Sequence, residues 1–288
     1  FYGFTPLFLA AFSGNAKLMN ALFDYDAKLN TENANAKDPL KQALISKHID
    51  CLEILLSRGF KPNNKDGDLS PLMQAIQAGL GDAIEPLLNH GVDINYINQK
   101  GNCALNLAIR TDKESLVKLL LERGADAKFK GLSGSNAVHA ACAKGNLNIL
   151  KMVIDAGADP YINNERGQSA AFAALLCSPD KMLEIFKYLY DELNFDINFE
   201  CDGDTILTEL LPDTDHFTLE IAEFLLSRGA DIQKMTKPGK TILDLALSFV
   251  NDPDIRELFI KRAREDAEKM KGKWKLINVK ILIIIELY

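Results

Sequence analysis

The chain has 288 residues, of which 47% are hydrophobic, enough to bury a sizeable core in one or two domains. A formal net charge of −7 argues against a general nucleic-acid binder. Five scattered cysteines, odd in number and without a C-x-x-C pair, read as reduced, mostly buried thiols of an intracellular, cytoplasmic protein rather than a disulfide framework.

The first stretch, GFTPLFLAAFSGN (residues 3–15), has no methionine ahead of it and reads as the middle of something already under way. That keeps open a reading in which further sequence precedes Phe1. The same pattern then returns along the chain: FTPLFLAA, KDPLKQAL, LSPLMQAI, NCALNLAI, SNAVHAAC, QSAAFAAL, DTILTELL and KTILDLAL. Each start carries a turn and an N-cap residue type, in places followed by Pro at the first helical position. A short helix comes next, with a small residue at its middle: Ala10, Ala43, Ala75, Ala108, Ala141, Ala174 and Ala246. Then a second helix, rich in Leu, Ile and Val, is closed by glycine at Gly59, Gly91, Gly124, Gly157 and Gly229. The first four glycines are 32, 33 and 33 residues apart, and the last gap is 72. Asn194 sits near the middle of that gap, and Asn is the next-best residue for a left-handed helix cap. Eight units result. None can bury its apolar face alone, so they must stack into a solenoid.

These residues resemble the ankyrin-repeat family, whose unit of about 33 residues carries a T-P-L-H-x-A signature. The resemblance covers residues 1–260 and is closest in GFTPLFLAAFSGN and NAVHAACAKGNLNILKMVIDAGADP (136–160). It implies an all-α, elongated, slightly curved solenoid of helix–turn–helix units with β-turn fingers along one edge. In the sixth and seventh units, LLCSPDKMLEIFKYL and LLPDTDHFTLEIAEFLL are expected to insert about three residues between the helices.

Candidate chemistry is sparse. His139 and Cys142 lie three apart on one helix and share a face, yet a zinc site needs four ligands. The resemblance assigns His139 to hydrogen bonds that tie neighbouring turns together, and Cys142 falls near the small-residue stripe. His48, His90 and His216 read as surface residues. GLSGS (131–135) follows no strand and lacks a P-loop lysine, so it is a turn. The pairs Asp202/Asp204 and Asp213/Asp215 are solvated loop charges. No catalytic residues, cofactor or metal are expected.

The tail, residues 261–288, holds eight Lys and Arg against four Asp and Glu, so it is +4 while residues 1–260 are −11. It begins as a mixed-charge helix, breaks at Gly272, and ends in the apolar run Ile281–Ile285, far below the roughly 20 residues needed to span a bilayer. An end cap, or the start of another region, is the expectation; membrane contact would be at most peripheral, through the basic segment.

The expected function is that of a non-catalytic scaffold or adaptor binding another protein through the concave face and finger tips. The alternative is the repeat portion of a larger enzyme or channel. The resemblance places partner contacts on the fingers, at Tyr2, Phe4, Asn35, Lys37, Asp66, Gln99, Lys100, Asn102, Ser133, Ser135, Arg166, Gln168, Asp202 and Asp204. It places others late on the first helices, at Phe12, Ser13, Gln77, Arg110, Thr111, Lys144 and Cys177.

Overall fold

The computed structural model describes residues 4–27, 38–62, 69–237 and 239–269. Tyr2, Asn35, Lys37, Asp66, Gly272 and the Ile281–Ile285 run lie outside them. Among the described residues, helices follow one another in eight consecutive pairs. These are α1 (Pro6–Ser13) and α2 (Ala16–Asp24), α3 (Pro39–Ile45) and α4 (Ile49–Ser57), α5 (Pro71–Gln77) and α6 (Gly81–Asn89), and α7 (Ala104–Arg110) and α8 (Glu114–Glu122). Then come α9 (Ala137–Lys144) and α10 (Leu147–Asp155), α11 (Ala170–Ala174) and α12 (Pro179–Lys187), α13 (Ile206–Leu210) and α14 (Leu219–Ser227), and α15 (Ile242–Phe249) and α16 (Pro253–Lys269). No sheet forms among the described residues; there are two isolated bridges, Cys201–Asp204 and Met235–Thr241, both in fingers. The chain divides into two compact units, residues 1–137 with 151–159 and residues 138–150 with 160–288.

The helices begin where side chains supply acceptors for free backbone N–H groups. Thr5 caps α1, Asp38 caps α3, Ser70 caps α5, and Pro stands at the start of all three. Thr205 and Thr241 make reciprocal capping boxes with Thr208 and Asp244. The second helices end on left-handed backbone at Gly59, Gly91, Gly124, Gly157 and Gly229, with φ between 78° and 94°, and Asn194 takes the same role at 54°. In unit four the expected polar cap is absent. Cys103 occupies the cap without a side-chain bond, and Asn98 instead accepts the N–H groups of Lys100 and Asn102 at 3.0 and 2.9 Å, organising the finger.

In the first compact unit α1 packs on α3, α3 on α5 and α5 on α7, while α2 packs on α4 and α4 on α6. The alanine at the middle of each first helix makes that approach possible: Ala10, Ala43, Ala75 and Ala108 are all 0% exposed. In the second unit Ala141 and Ala174 are equally buried, while α12 packs on α14 and α14 on α16. Long α16 lays Ile255, Phe259 and Ala263 against its neighbours.

Polar rungs repeat with the same period. Asn95 donates from Nδ2 to the Gly124 carbonyl at 3.1 Å and accepts the Asp126 N–H at 2.8 Å. Asn198 makes the matching pair with Gly229 and Asp231, at 3.1 and 2.8 Å. Each Arg that precedes a cap glycine reaches back to an acid of the preceding second helix: Arg58 to Asp24 at 3.5 Å, Arg123 to Glu85, and Arg228 to Asp191 at 2.6 Å. The hydrogen bond from Arg228 holds the Asp191 carboxyl below its ordinary value.

The two irregular repeats differ in how they take up extra length. In the seventh, Ile206 to Leu219 spans thirteen residues where Ala104 to Glu114 spans ten, so three are inserted between the helices, as expected. In the sixth the expectation fails. Ala170 to Pro179 spans only nine, and the surplus is a π-helical turn, Tyr188–Glu192, appended to α12. Leu193 N–H closes it on the Tyr188 carbonyl at 3.2 Å. A wider turn absorbs residues without breaking the helix. It also seats buried Tyr190 among Phe186, Phe195 and Phe224, with ring centroids 5.7, 6.5 and 6.2 Å away.

His139 shows why its position carries an imidazole. The ring is 4% exposed and its Nε2 lies 3.2 Å from the Gln168 carbonyl, which ties the first helix of one repeat to the finger of the next. Burial holds the imidazole below its ordinary value of 6.5, although the bond to Gln168 pulls the other way. His48, expected at the surface, is half-buried, with its ring against Gly14, where an added Cβ would lie 2.6 Å from it.

Two outcomes are expected. Ala108→Leu and Ala141→Leu each overpack the stack and lower stability by about 1–3 kcal/mol, read as a lower urea midpoint. For His139, the folded chain takes up a proton less readily than the unfolded chain, so the stability contribution is complete above pH 6.5 and declines as pH falls below it. The loss in urea midpoint between about pH 7.5 and about pH 5.5 is therefore smaller in His139→Gln, which keeps a donor but does not titrate.

Candidate functional site

Two kinds of position escape the packing of each repeat: the finger tips and the outward side of the first helix near its end. In the first compact unit, Gln99 and Lys100 are exposed on the 98–102 finger, closed by Gly101 N–H to the Asn98 carbonyl at 2.9 Å. Asn102 is half-buried there. Ser133 is exposed and Ser135 half-buried on the 131–135 finger, where GLSGS forms a turn in which Gly131 N–H bonds the Ser135 carbonyl at 2.9 Å. Phe4, Phe12, Gln77 and Arg110 are exposed on or beside α1, α5 and α7. Thr111 is half-buried and its hydroxyl donates to the Ala108 carbonyl at 2.7 Å.

In the second unit, Arg166 and Asp202 are exposed at finger tips and Lys144 is half-buried at the end of α9. Gln168 and Asp204 are partly engaged already. The Gln168 side-chain oxygen accepts from Asn164 at 3.1 Å, and Asp204 pairs with Lys237 at 3.4 Å. Cys177 corrects the expectation made for it. It is 6% exposed, and its Sγ donates to the Ala174 carbonyl at 3.0 Å, because the side chain packs against Gly145 of the preceding repeat, where an added Cβ would lie 2.9 Å from its own. Tyr2 and Asp66 lie outside the described residues.

Sequence reasoning missed apolar members of the same face. Ile45 is 61% exposed and Leu176 77%, on the register position that Phe12 and Arg110 share. The repeat period was the available signal, since Ile45 comes 33 residues after Phe12. Leu9, 52% exposed, stands one turn before Phe12. Beside Ile45 a cleft of about 320 Å³ opens between α3 and α5, lined by Lys41, Leu44, Ile45, Leu69, Gln74, Gln77 and Ala78. A second cleft, about 310 Å³, lies at the inter-helix turns around Gly79, Gly81 and Leu116, with Lys113 and Ser115 as its polar side chains.

Among the described residues no group of three or more His, Cys, Asp and Glu could hold a metal ion. Burial pushes the Cys142 thiol up, which keeps it protonated and a poor nucleophile or ligand. Asp213 is taken up by its own loop, accepting from the His216 ring at 2.9 Å and from the His216 and Asp215 backbone N–H groups. No helix among the described residues is long and apolar enough to cross a membrane.

Comparison with known proteins agrees with this architecture. The family model described as "Ankyrin repeats (3 copies)" matches residues 2–66, 61–131, 116–201 and 138–236. Among solved structures, the ankyrin repeat domain of Bcl-3, described as a unique member of the IkappaB protein family, is 20% identical, with a TM-score of 0.53 over 88% of this chain and 97% of that one. The human ASB11 ankyrin repeat domain is 18% identical, with a TM-score of 0.50 over 90% of this chain and 97% of that one. At such identities the likeness is one of fold. No curated protein matches the chain by sequence. Ankyrin repeats generally mediate protein–protein interaction, and the fold is typically a non-catalytic module. With the family pattern running through most of its length on helix pairs that recur at the family's period, this chain belongs to the ankyrin-repeat family.

Proposed function

We propose that the chain is a non-catalytic interaction scaffold that binds another protein through its fingers and first-helix ends, the concave side in this family. The array is assigned to residues 1–260, and the 261–288 tail, whose first nine residues continue α16, to an end cap or the start of another region. The observation that carries this reading is the state of the cations. Arg58, Arg123 and Arg228, at the second-helix ends, are all held by acids of the preceding repeat. Arg110, Lys144 and Arg166, on the fingers and first helices, are drawn into no ion pair among the described residues. The first set knits repeats together; the second is available to a partner, and Arg is favoured where interfaces concentrate their binding energy.

Once a partner has been identified by affinity purification and mass spectrometry, the triple variant Arg110→Ala, Lys144→Ala, Arg166→Ala is expected to bind it about tenfold or more weakly, with an unchanged melting temperature. Normal binding by the triple variant, together with loss of binding on changes to exposed second-helix residues such as Lys118, would overturn the assignment.

A further inference from the structure

We infer that the first-helix face of the first compact unit binds an acidic peptide segment whose apolar side chain enters the cleft between α3 and α5. This rests on the scaffold reading above and gives the partner its chemistry.

Charge is sorted by helix. The chain carries a net charge of −7, yet α1, α3, α5 and α7 contain no Asp or Glu, and their charged residues are Lys41 and Arg110. The second helices α2, α4, α6 and α8 hold seven acids, of which Asp24 and Glu85 are paired with Arg58 and Arg123. Asp38 and Asp112 lie at the ends of first helices rather than on them, and Asp38 accepts the Leu40 and Lys41 N–H groups at 2.8 and 3.2 Å. Neither Lys41 nor Arg110 enters an ion pair among the described residues. With no carboxylate on these four helices, and Asp38 and Asp112 only flanking them, the first-helix side is less negative than the second-helix side and suits a negatively charged partner.

The cleft supplies the second part of the chemistry. Its walls are Leu44, exposed Ile45, Leu69 and Ala78, with Lys41 and Gln77 at its polar edge. Gln74 completes the lining. Its Nε2 donates to the Leu69 carbonyl at 3.0 Å, which fixes the amide orientation, since the reverse would set oxygen against oxygen. That leaves Gln74 Oε1 buried with no hydrogen-bond partner among the described residues. A buried acceptor without a donor is costly, and a backbone N–H entering beside an apolar side chain satisfies it once the Gln74 side chain shifts toward the cleft that it lines. Phe12, 60% exposed on α1, extends the apolar contact one repeat further. Apolar walls and an orphan acceptor suit a peptide. They do not suit a phosphate backbone, which has no apolar side chain to seat and would bring oxygen towards oxygen.

The test uses the intact chain, immobilised and panned against a random peptide library displayed on phage. Enriched peptides are synthesised and titrated by fluorescence anisotropy. Enrichment of Asp and Glu around a Leu, Ile, Phe or Met is expected, with affinity that falls as salt is raised. Ile45→Glu and the double variant Lys41→Glu, Arg110→Glu should each weaken binding about tenfold or more, while Lys118→Glu on α8 leaves it unchanged. All three variants alter solvent-accessible side chains, and unchanged urea midpoints confirm that they fold. Neutral or basic peptides that still lose binding in Ile45→Glu would overturn the acidic chemistry and leave the scaffold reading standing. No enrichment, or binding indifferent to the first-helix variants, would overturn the cleft as the docking site. The scaffold reading falls separately, if the triple variant Arg110→Ala, Lys144→Ala, Arg166→Ala binds its identified partner normally.

Discussion

The close approach of successive first helices, allowed by an alanine in seven of the eight repeats, is the constraint on which the other features depend. A helix pair of this size has too little interior of its own, so its apolar residues are buried only when the next pair arrives. Alanine at the contact brings the backbones near each other, and the second helices can then interlock their Leu and Ile side chains. Because the contact recurs at a fixed period, any side chain at a given register has a counterpart of similar environment in the adjoining repeat. The Asn95 and Asn198 clamps and the Arg-to-acid rungs use that regularity. Each connects residues about one repeat apart, and each satisfies groups that a single repeat would leave without partners.

The same geometry divides the surface by purpose. Second-helix acids and cap arginines sit where they reach one another, so their charges support the stack. First-helix ends and finger tips point away from the packing, so substitution there is limited by solubility and by the partner rather than by the core. Lys41, Ile45 and Arg110 therefore coexist with a buried alanine stripe on the same helices. The absence of carboxylates from those four helices is not needed for stacking, since α13 and α15 tolerate Glu209 and Asp244.

Irregular repeats show how much variation the constraint allows. The seventh repeat lengthens its inter-helix loop, where Asp213 gathers the backbone N–H groups of Asp215 and His216 and keeps the insertion ordered. The sixth widens the end of its second helix into a π turn instead, and the extra aromatic residues fill the space this creates. In both, the small or apolar contact at the first helix is kept, as Ala174 in one and Leu210 in the other, each at most 1% exposed.

Sequence by itself determined the repeat period, the helix pairing, the alanine stripe and the left-handed caps, down to Asn194 standing in for glycine. These are local signals, set by backbone conformation and by residues within one unit, and repetition amplifies them. The role of His139 came from the family resemblance rather than from repetition, since histidine stands at that position in one of the eight units. Tertiary structure alone decided where the sixth repeat stores its surplus residues, since an inserted loop and a π turn have the same length in sequence. It alone removed Cys177 from the surface, because burial depends on what the neighbouring repeat brings to each register. The cleft between α3 and α5 was hidden for the same reason: its walls come from two repeats, and no single stretch of sequence contains them.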